Sequence, residues 1–346
     1  MKVLITGIAG FLGSHVAEHC IKLGMEVVGV DDLSGGNIAN LPEGANHEGV
    51  NFFNRDCSSA HEMAYLFEQQ GPFDAVYHLA AYAAEGLSHF IRRFNYENNL
   101  GATATIVNEC VKQGESTGKM PHLVFTSSIA VYGYVPAGCL PVTEERTPSP
   151  IDPYGIAKYA CELDIQAAAE MFGLTYTIYR PYNIYGERQN LNDPYRNVVG
   201  IFMRKALTGE PFPIFGDGSQ QRAFSYVDDV APVIAVSPLI SKAKNTVLNV
   251  GGETPFSVKQ LAEMVSESFG IPTNIAWLEP RNEVQMIYAT PAKVHGIFGH
   301  KTPTKLIDGI ERMAKWAKTQ TIAPPKPFAN VEVNVNMPPS WKALVK

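Results

Sequence analysis

From Lys2 to Ser127 the chain repeats one pattern: a short run of Val, Ile, Leu and Phe, then a segment with helical spacing. The runs fall at Lys2–Thr6, Glu26–Val30, Val50–Asn54, Ala75–Leu79 and His122–Ser127, with further ones at Thr175–Arg180 and Thr246–Val250. They are continuously apolar rather than alternating, which suits strands buried on both faces of a parallel sheet. Strands separated by helices demand crossovers, and those crossovers are right-handed. The pattern predicts an α/β fold built on a doubly wound parallel sheet. After Arg180 the character changes. "PYNIYGERQNLNDPYRNVV" and "IFGDGSQQRAF" are irregular, and helical patterns near Ser257–Ser268 and Leu306–Lys318 close the body. Residues 1–180 are expected to form the sheet domain, with 246–250 returning to it, and 181–346 a smaller C-terminal domain and tail. The tail after Gln320 carries "APPKP" and "MPPSW", whose prolines block helix and predict a segment draped on the surface.

A net charge of −6, a pI near 5.9 and the lack of a basic run argue against a nucleic-acid binder. The five cysteines are scattered, odd in number and free of CxxC spacing. They read as reduced core thiols of a cytoplasmic protein, not as disulfides or metal ligands. "MKVLITG" is too short an apolar run for a signal peptide, and no stretch has the length to span a bilayer.

"TGIAGFLG" follows the first strand and opens a helix, with Gly7, Gly10 and Gly13 spaced GxxGxxG around Phe11 and Leu12. Glycines there let the backbone turn sharply and approach a pyrophosphate seated on the positive helix N-terminus. The second strand ends in "VDD" about twenty residues on, the second half of a dinucleotide fingerprint. Asp31, in preference to Asp32, is placed to accept from the adenosine ribose hydroxyls. An acid there repels a 2′-phosphate, which favours NAD over NADP. Asp56, after the third strand, is either an acceptor for the adenine amino group or a helix N-cap. "HLAA" ends the fourth strand with small residues, Leu79, Ala80 and Ala81 bordering the cofactor and His78 packed in the strand. These features make the sheet domain a Rossmann domain.

"DPYGIAKYACE" places Tyr154 and Lys158 four apart, on one face of a helix capped by Asp152 and started by Pro153. To act as a base, a tyrosine must come down from about 10 toward 7, roughly 4 kcal/mol. A neighbouring ammonium and a positively charged nicotinamide supply such a shift. "FTSSIAVYG" offers Ser128 at a strand end but no acid or base of its own. The helix after Tyr154 is apolar nearly all round, through Ile156, Ala157, Ala160, Leu163, Ile165, Ala168 and Met171. One stripe covers the sheet; a second either meets another subunit or lies beneath the C-terminal domain.

"TGIAGFLGSH", "VDDLS", "HLAA", "TSSIAVYG", "PYGIAK", "RPYNIYG" and "GDGSQQRAFSYVDD" occur in order across most of the chain. Together they resemble the NAD-dependent nucleotide-sugar epimerase/dehydratase family, the extended short-chain dehydrogenases. The resemblance implies an enzyme with bound NAD and no metal, a nucleotide-sugar substrate held by the C-terminal domain, and a homodimer. It implies that Ser128 hydrogen-bonds the sugar oxygen being oxidised, that Tyr154 is the acid/base, and that Lys158 holds the nicotinamide ribose. It implies cofactor support from Asn99 behind the serine strand. Asn183, Asn197, Arg222 and Arg281 match contacts to the nucleotide diphosphate, and Glu283 matches an acid for the uridine ribose. Guanidinium forks suit phosphate oxygens.

The same resemblance separates reaction classes. Related dehydratases place Asp-Glu directly after the serine or threonine, because removing water across C5–C6 needs an acid and a base. Here those positions are Ile129 and Ala130, so 4-epimerisation of the UDP-glucose/UDP-galactose kind leads. Epimerases of UDP-glucuronate or UDP-N-acetylhexosamine, a dehydratase or decarboxylase, and a non-catalytic NAD-binding member follow. The chain departs from the family at "YAAEG" after "HLAA", and the sugar-gating position falls near Ile287.

Overall fold

The computed structural model describes residues 1–42, 50–281, 283–324 and 328–344. Its main sheet contains β1 (Lys2–Thr6), β2 (Glu26–Asp31), β3 (Val50–Asn54), β4 (Ala75–His78), β5 (His122–Thr126), β6 (Tyr176–Pro181) and β7 (Thr246–Val250). The order is β7-β6-β5-β4-β1-β2-β3, and each pairing is parallel. The strands fall where the apolar runs lie, with ends displaced by one residue at most. β2 reaches Asp31, while β4 and β5 stop at His78 and Thr126, where the chain leaves the sheet to line a cavity.

Alternate residues of each strand enter opposite cores. On one face Val3, Ile5 and Tyr77 pack with Val16 and Ala17 of α1 (Phe11–Lys22). On the other, Leu4, Val28 and Phe125 pack with residues of α2 (Ala60–Gln70), which follows β3. Burying each such side chain fully contributes roughly 1.5–3 kcal/mol. The chain continues through two short helices, α3 (Glu85–Ser88) and α4 (Arg92–Tyr96), a wide π turn at Glu97–Gly101, and α5 (Ala102–Thr117), which joins α2 in the second core. β1 is flanked by β2 on one side and β4 on the other. The loops leaving β1 and β4 diverge there and open a crevice at the carboxyl ends.

The helix α6 (Pro153–Phe172) follows β5 and starts as its sequence demands. The Asp152 carboxylate accepts the Gly155 N–H at 2.9 Å, Pro153 occupies the first turn, and Gly173 closes the far end at φ +76°. Ala157, Ile165 and Ala168 are buried against the sheet. Ile156, Leu163 and Met171 stand 41%, 48% and 76% exposed, so the second stripe is not covered by the C-terminal residues described.

Beyond β6 a separate core joins α7 (Val198–Thr208) to Leu261, Val265, Ile310 and Met313. Before that core is complete, α8 (Val227–Val236) returns to the sheet and packs Val227, Val230 and Ile234 against the face that holds Val3. β7 then pairs with β6. The remaining helices are α9 (Val258–Phe269), opened by a Ser257/Gln260 capping box, α10 (Ala292–Phe298), α11 (Leu306–Ala317) and α12 (Pro339–Lys342). No helix among the described residues is long and apolar enough to cross a membrane.

Two sequence expectations need correction. Cys20, Cys110 and Cys161 are buried thiols, but Cys57 is half-buried beside the cavity and Cys139 is exposed. The tail is not merely draped: Met337 and Trp341 are 2% and 7% exposed, because their apolar surface is covered by the aromatic cluster around α3 and α4.

Candidate active site

A cavity of about 700 Å³ opens at the carboxyl ends of the strands. It runs from the glycine loop, past the ends of β4 and β5 and the first turn of α6, to the C-terminal part of the chain.

At one end the glycines earn their positions by close approach. Gly7 has φ +72°, and a Cβ on it would lie 2.8 Å from the Ala80 backbone. A Cβ on Gly13 would lie 2.0 Å from the Gly7 carbonyl oxygen. Gly10 is the N-cap of α1, no side chain accepts from the N–H groups of its first turn, and that turn lines the cavity. Phe11, Leu12, Leu79, Ala80 and Ala81 complete this wall. The Leu79 and Ala80 N–H groups each donate to Thr6 Oγ1 at 3.2 Å. Asp31 is 8% exposed and accepts the Ala9 N–H at 3.0 Å and the Leu33 N–H at 2.8 Å. Burial raises its pKa above the ordinary range. Asp32, by contrast, accepts from exposed Ser34. Asp56 borders the cavity and accepts the Ser58 N–H at 2.8 Å. It is not the N-cap of α2: Ser59 holds that position. A bare helix N-terminus flanked by an acid at the end of β2 fits a dinucleotide.

Ser128, Tyr154 and Lys158 converge on the middle of the cavity. The Ser128 hydroxyl accepts the Ala130 N–H at 3.1 Å, which fixes its rotamer. Lys158 donates to the Thr126 carbonyl at 2.8 Å and lies 4.8 Å from the Phe125 ring centre. Burial pushes the Lys158 pKa down to about 8. The Tyr154 hydroxyl does not follow the expected direction. Burial raises it, Asp152 and Glu85 add to the rise, and the Ser128 hydrogen bond and Arg196 charge oppose it without reversing it. In this arrangement Lys158 turns toward the Thr126 carbonyl, and the dry wall dominates. His78 is packed as expected, between Thr6 and Thr103 hydroxyls at 2.8 and 3.0 Å, with its pKa driven down to about 3 by burial.

Asn99 departs from its expected place. It lies in the π turn, where its amide donates to Asn95 and to the Tyr82 carbonyl, and it does not line the cavity. Its neighbour Asn98 reaches the cavity instead.

At the far end Asn183, Asn197, Arg222, Arg281 and Glu283 all line the cavity. Asn183 has φ +42° and donates to the Ala223 carbonyl at 2.9 Å. Asn197 caps α7 through the Val199 N–H at 3.0 Å. Glu283 lies 3.0 Å from Arg281 and 3.7 Å from Arg222, so one carboxylate orders both guanidiniums. Ile287 is buried beside Ile129, Tyr132 and Tyr182 and forms no wall, which corrects its reading as a gate. Ile129 and Ala130 are buried as well and do not reach the cavity.

Sequence reasoning missed three contributors. Glu85, in the divergent "YAAEG" stretch, opens into the cavity. Its carboxylate is solvent-accessible, yet the surrounding cavity walls raise its pKa, while Arg222 and Arg281 pull it back. Asp152, read only as a cap, is also a cavity residue; burial and then the Glu85 charge push its pKa up to about 7. Trp341 arrives from the tail. An acid among small residues after a strand end was the one signal available for Glu85; nothing local marked Trp341.

Comparison with known proteins agrees with this geometry. A UDP-glucose 4-epimerase of Thermotoga maritima, solved with UDP-glucose, superposes with a TM-score of 0.84 at 31% identity, covering 92% of this chain and 99% of that one. A UDP-N-acetylglucosamine 4-epimerase of Methanobrevibacter ruminantium gives 0.83 at 29%, covering 92% and 99%. The dTDP-glucose 4,6-dehydratase of Salmonella typhimurium is 29% identical over 350 aligned positions, covering 93% of this chain and 94% of its own length. The model of the NAD dependent epimerase/dehydratase family matches residues 3–251. With that match added to the parallel sheet and the glycine-loop crevice, the chain belongs to the NAD-dependent epimerase/dehydratase family.

Proposed function

We propose that the chain is a nucleotide-sugar 4-epimerase of the UDP-glucose/UDP-galactose type, working with tightly bound NAD as a cytoplasmic homodimer. One observation carries the reading. Ser128, Tyr154 and Lys158 line one cavity, while the two positions after the serine are apolar and lie outside it. The glycine loop, Asp31, Asp56, Leu79, Ala80 and Ala81 are the residues that hold NAD. Asp31 accepts from its adenosine ribose, and Lys158 donates to its nicotinamide ribose. Arg222 and Arg281 receive the substrate diphosphate, assisted by Asn183 and Asn197. Glu283 orders both arginines and accepts from the nucleoside ribose.

The chemistry that NAD supplies when bound is reversible hydride transfer at the sugar C4. The protein supplies position and proton movement. Ser128 hydrogen-bonds the 4-oxygen. Tyr154 takes the 4-hydroxyl proton and later returns it. Its hydroxyl starts above its ordinary pKa, so positive charge from Lys158, Arg196 and an oxidised nicotinamide must offset burial before it can act as a base. The arginines grip the diphosphate while the 4-keto sugar turns and presents its other face.

A 4,6-dehydratase is the second reading, favoured by one feature: Glu85 and Asp152 place two carboxyl groups on the cavity that holds Tyr154. Incubation with UDP-glucose, UDP-galactose, UDP-glucuronate, UDP-N-acetylglucosamine and dTDP-glucose, with products read by NMR, separates the two. C4 inversion is expected, and a 4-keto-6-deoxy product or released CO2 overturns it. Tyr154→Phe is expected to lower kcat by about 10²–10⁴-fold while keeping NAD. An unchanged rate would favour a non-catalytic protein. The dimer rests on the exposed Ile156–Leu163–Met171 stripe, and native mass spectrometry reads it directly.

A further inference from the structure

Beyond α11 the chain returns to the cavity. The Glu332 and Val333 N–H groups donate to the Phe90 carbonyl at 2.8 and 3.3 Å. The Glu332 carboxylate accepts the Arg93 and Phe94 N–H groups at 3.0 Å each. These contacts fasten the segment beside α4 and deliver Trp341 to the cavity wall. The indole meets Phe90, Tyr195 and Phe215 edge-on, with ring centres 6.4, 5.5 and 6.3 Å away. Its seat requires a small residue opposite: a Cβ on Gly86 would lie 2.9 Å from the ring.

The same indole flanks Arg281. The guanidinium carbon lies 4.5 Å from the Phe215 ring centre and 5.6 Å from that of Trp341. Glu283 holds one terminal nitrogen at 3.0 Å. The Nε atom is buried with no hydrogen-bond partner among the described residues. An arginine held by two rings has its planar fork ordered before any ligand arrives, so less freedom is lost on binding.

We infer that the C-terminal strap is a wall of the substrate cavity and that Trp341 is a positioning residue, holding Arg281 for the diphosphate of a nucleotide sugar. The inference rests on the nucleotide-sugar reading above. Its test uses the full-length, NAD-loaded protein and its Trp341→Ala and Trp341→Phe variants. Calorimetry measures binding of UDP, dTDP, GDP and inorganic pyrophosphate, and turnover is followed with UDP-glucose. Trp341→Ala is expected to weaken UDP binding and raise KM by roughly tenfold, with kcat within about twofold and NAD content unchanged. Trp341→Phe is expected to recover most of the loss. If Trp341→Ala does not fold, Glu332→Gln loosens the strap outside the cavity, and a rise in KM of about two- to fivefold is expected. Equal UDP affinity in wild type and a folded Trp341→Ala overturns the inference and leaves the proposed function standing. Loss of pyrophosphate binding in the variant, with UDP no better a ligand than pyrophosphate for wild type, supports the strap and overturns the uridine assignment. A wild-type protein that binds none of the four probes overturns both.

Discussion

Replacing Glu162 by glutamine is expected to destabilise the protein by about 3–5 kcal/mol, because it leaves a buried guanidinium unpaired. The Glu162 and Arg180 side chains are 1% and 5% exposed. Arg180 Nε donates to one carboxylate oxygen at 3.0 Å and its terminal nitrogen to the other at 2.6 Å. Ser127, the neighbour of Ser128, donates to the same carboxylate. Arg180 also donates to the Tyr132 hydroxyl at 2.8 Å, which in turn donates to Asn249. The pair thus ties α6, the end of β5, β6 and β7 together beside Ser128. Burial on its own lowers the Arg180 pKa, and the Glu162 hydrogen bonds and charge carry it back above its ordinary value. The neutral amide forfeits the charge that makes this reversal. With an unfolding entropy of about 2.1 cal/mol/K per residue, the loss corresponds to a Tm drop of roughly 4–7 °C for a chain of this length. Replacing both residues by apolar ones of similar size, Glu162→Leu with Arg180→Met, is expected to recover most of the loss, since no unpaired charge remains. Urea unfolding at pH 7 of the single and double variants decides the matter. A single variant within about 1 kcal/mol of wild type, or a double variant as unstable as the single, refutes the reasoning.

Gly13→Ala is expected to cut retained NAD by at least about tenfold, since its Cβ would lie 2.0 Å from the Gly7 carbonyl oxygen; full NAD content on mass spectrometry would contradict the close packing. Asp152→Asn keeps the cap acceptor for the Gly155 N–H and removes an acid whose pKa stands at about 7 in the folded chain. A raised carboxyl pKa means the folded state holds its proton longer than the unfolded one. The contribution of Asp152 to stability is therefore fully present below the ordinary aspartate range and is lost as pH rises from about 4 to 7. The variant is expected to gain on the order of 1–4 kcal/mol over wild type at pH 8 and nothing near pH 4. Parallel Tm curves across that range would show that Asp152 is not desolvated as described.

Much of this architecture was legible because the signals act over short stretches. Continuous apolar runs located the sheet strands to within a residue, since a strand buried on both faces has no polar position to spare. The glycine spacing marked the crevice because a Cβ there collides with backbone. Tyr154 and Lys158 share a cavity because four residues make about one helical turn.

Other properties depend on segments far apart in sequence. The direction of the Tyr154 pKa follows from burial together with Asp152 and Glu85, and no spacing rule reports how dry a wall becomes once distant segments pack around it. Asn99 turned inward through a π turn that hydrophobic periodicity does not encode. The prolines of the tail correctly exclude a long helix, yet they carry no information about destination. Trp341 reaches the cavity on a tail whose Glu332 and Val333 pair with Phe90 and Arg93, contacts that exist only after α4 and the distant tail are folded together. The sequence by itself determined the sheet, the dinucleotide crevice and the Ser–Tyr–Lys set. The electrostatics around them, and the strap that walls the cavity, were decided by tertiary packing, because desolvation and long-range contact are properties of the closed surface and not of any local run of residues.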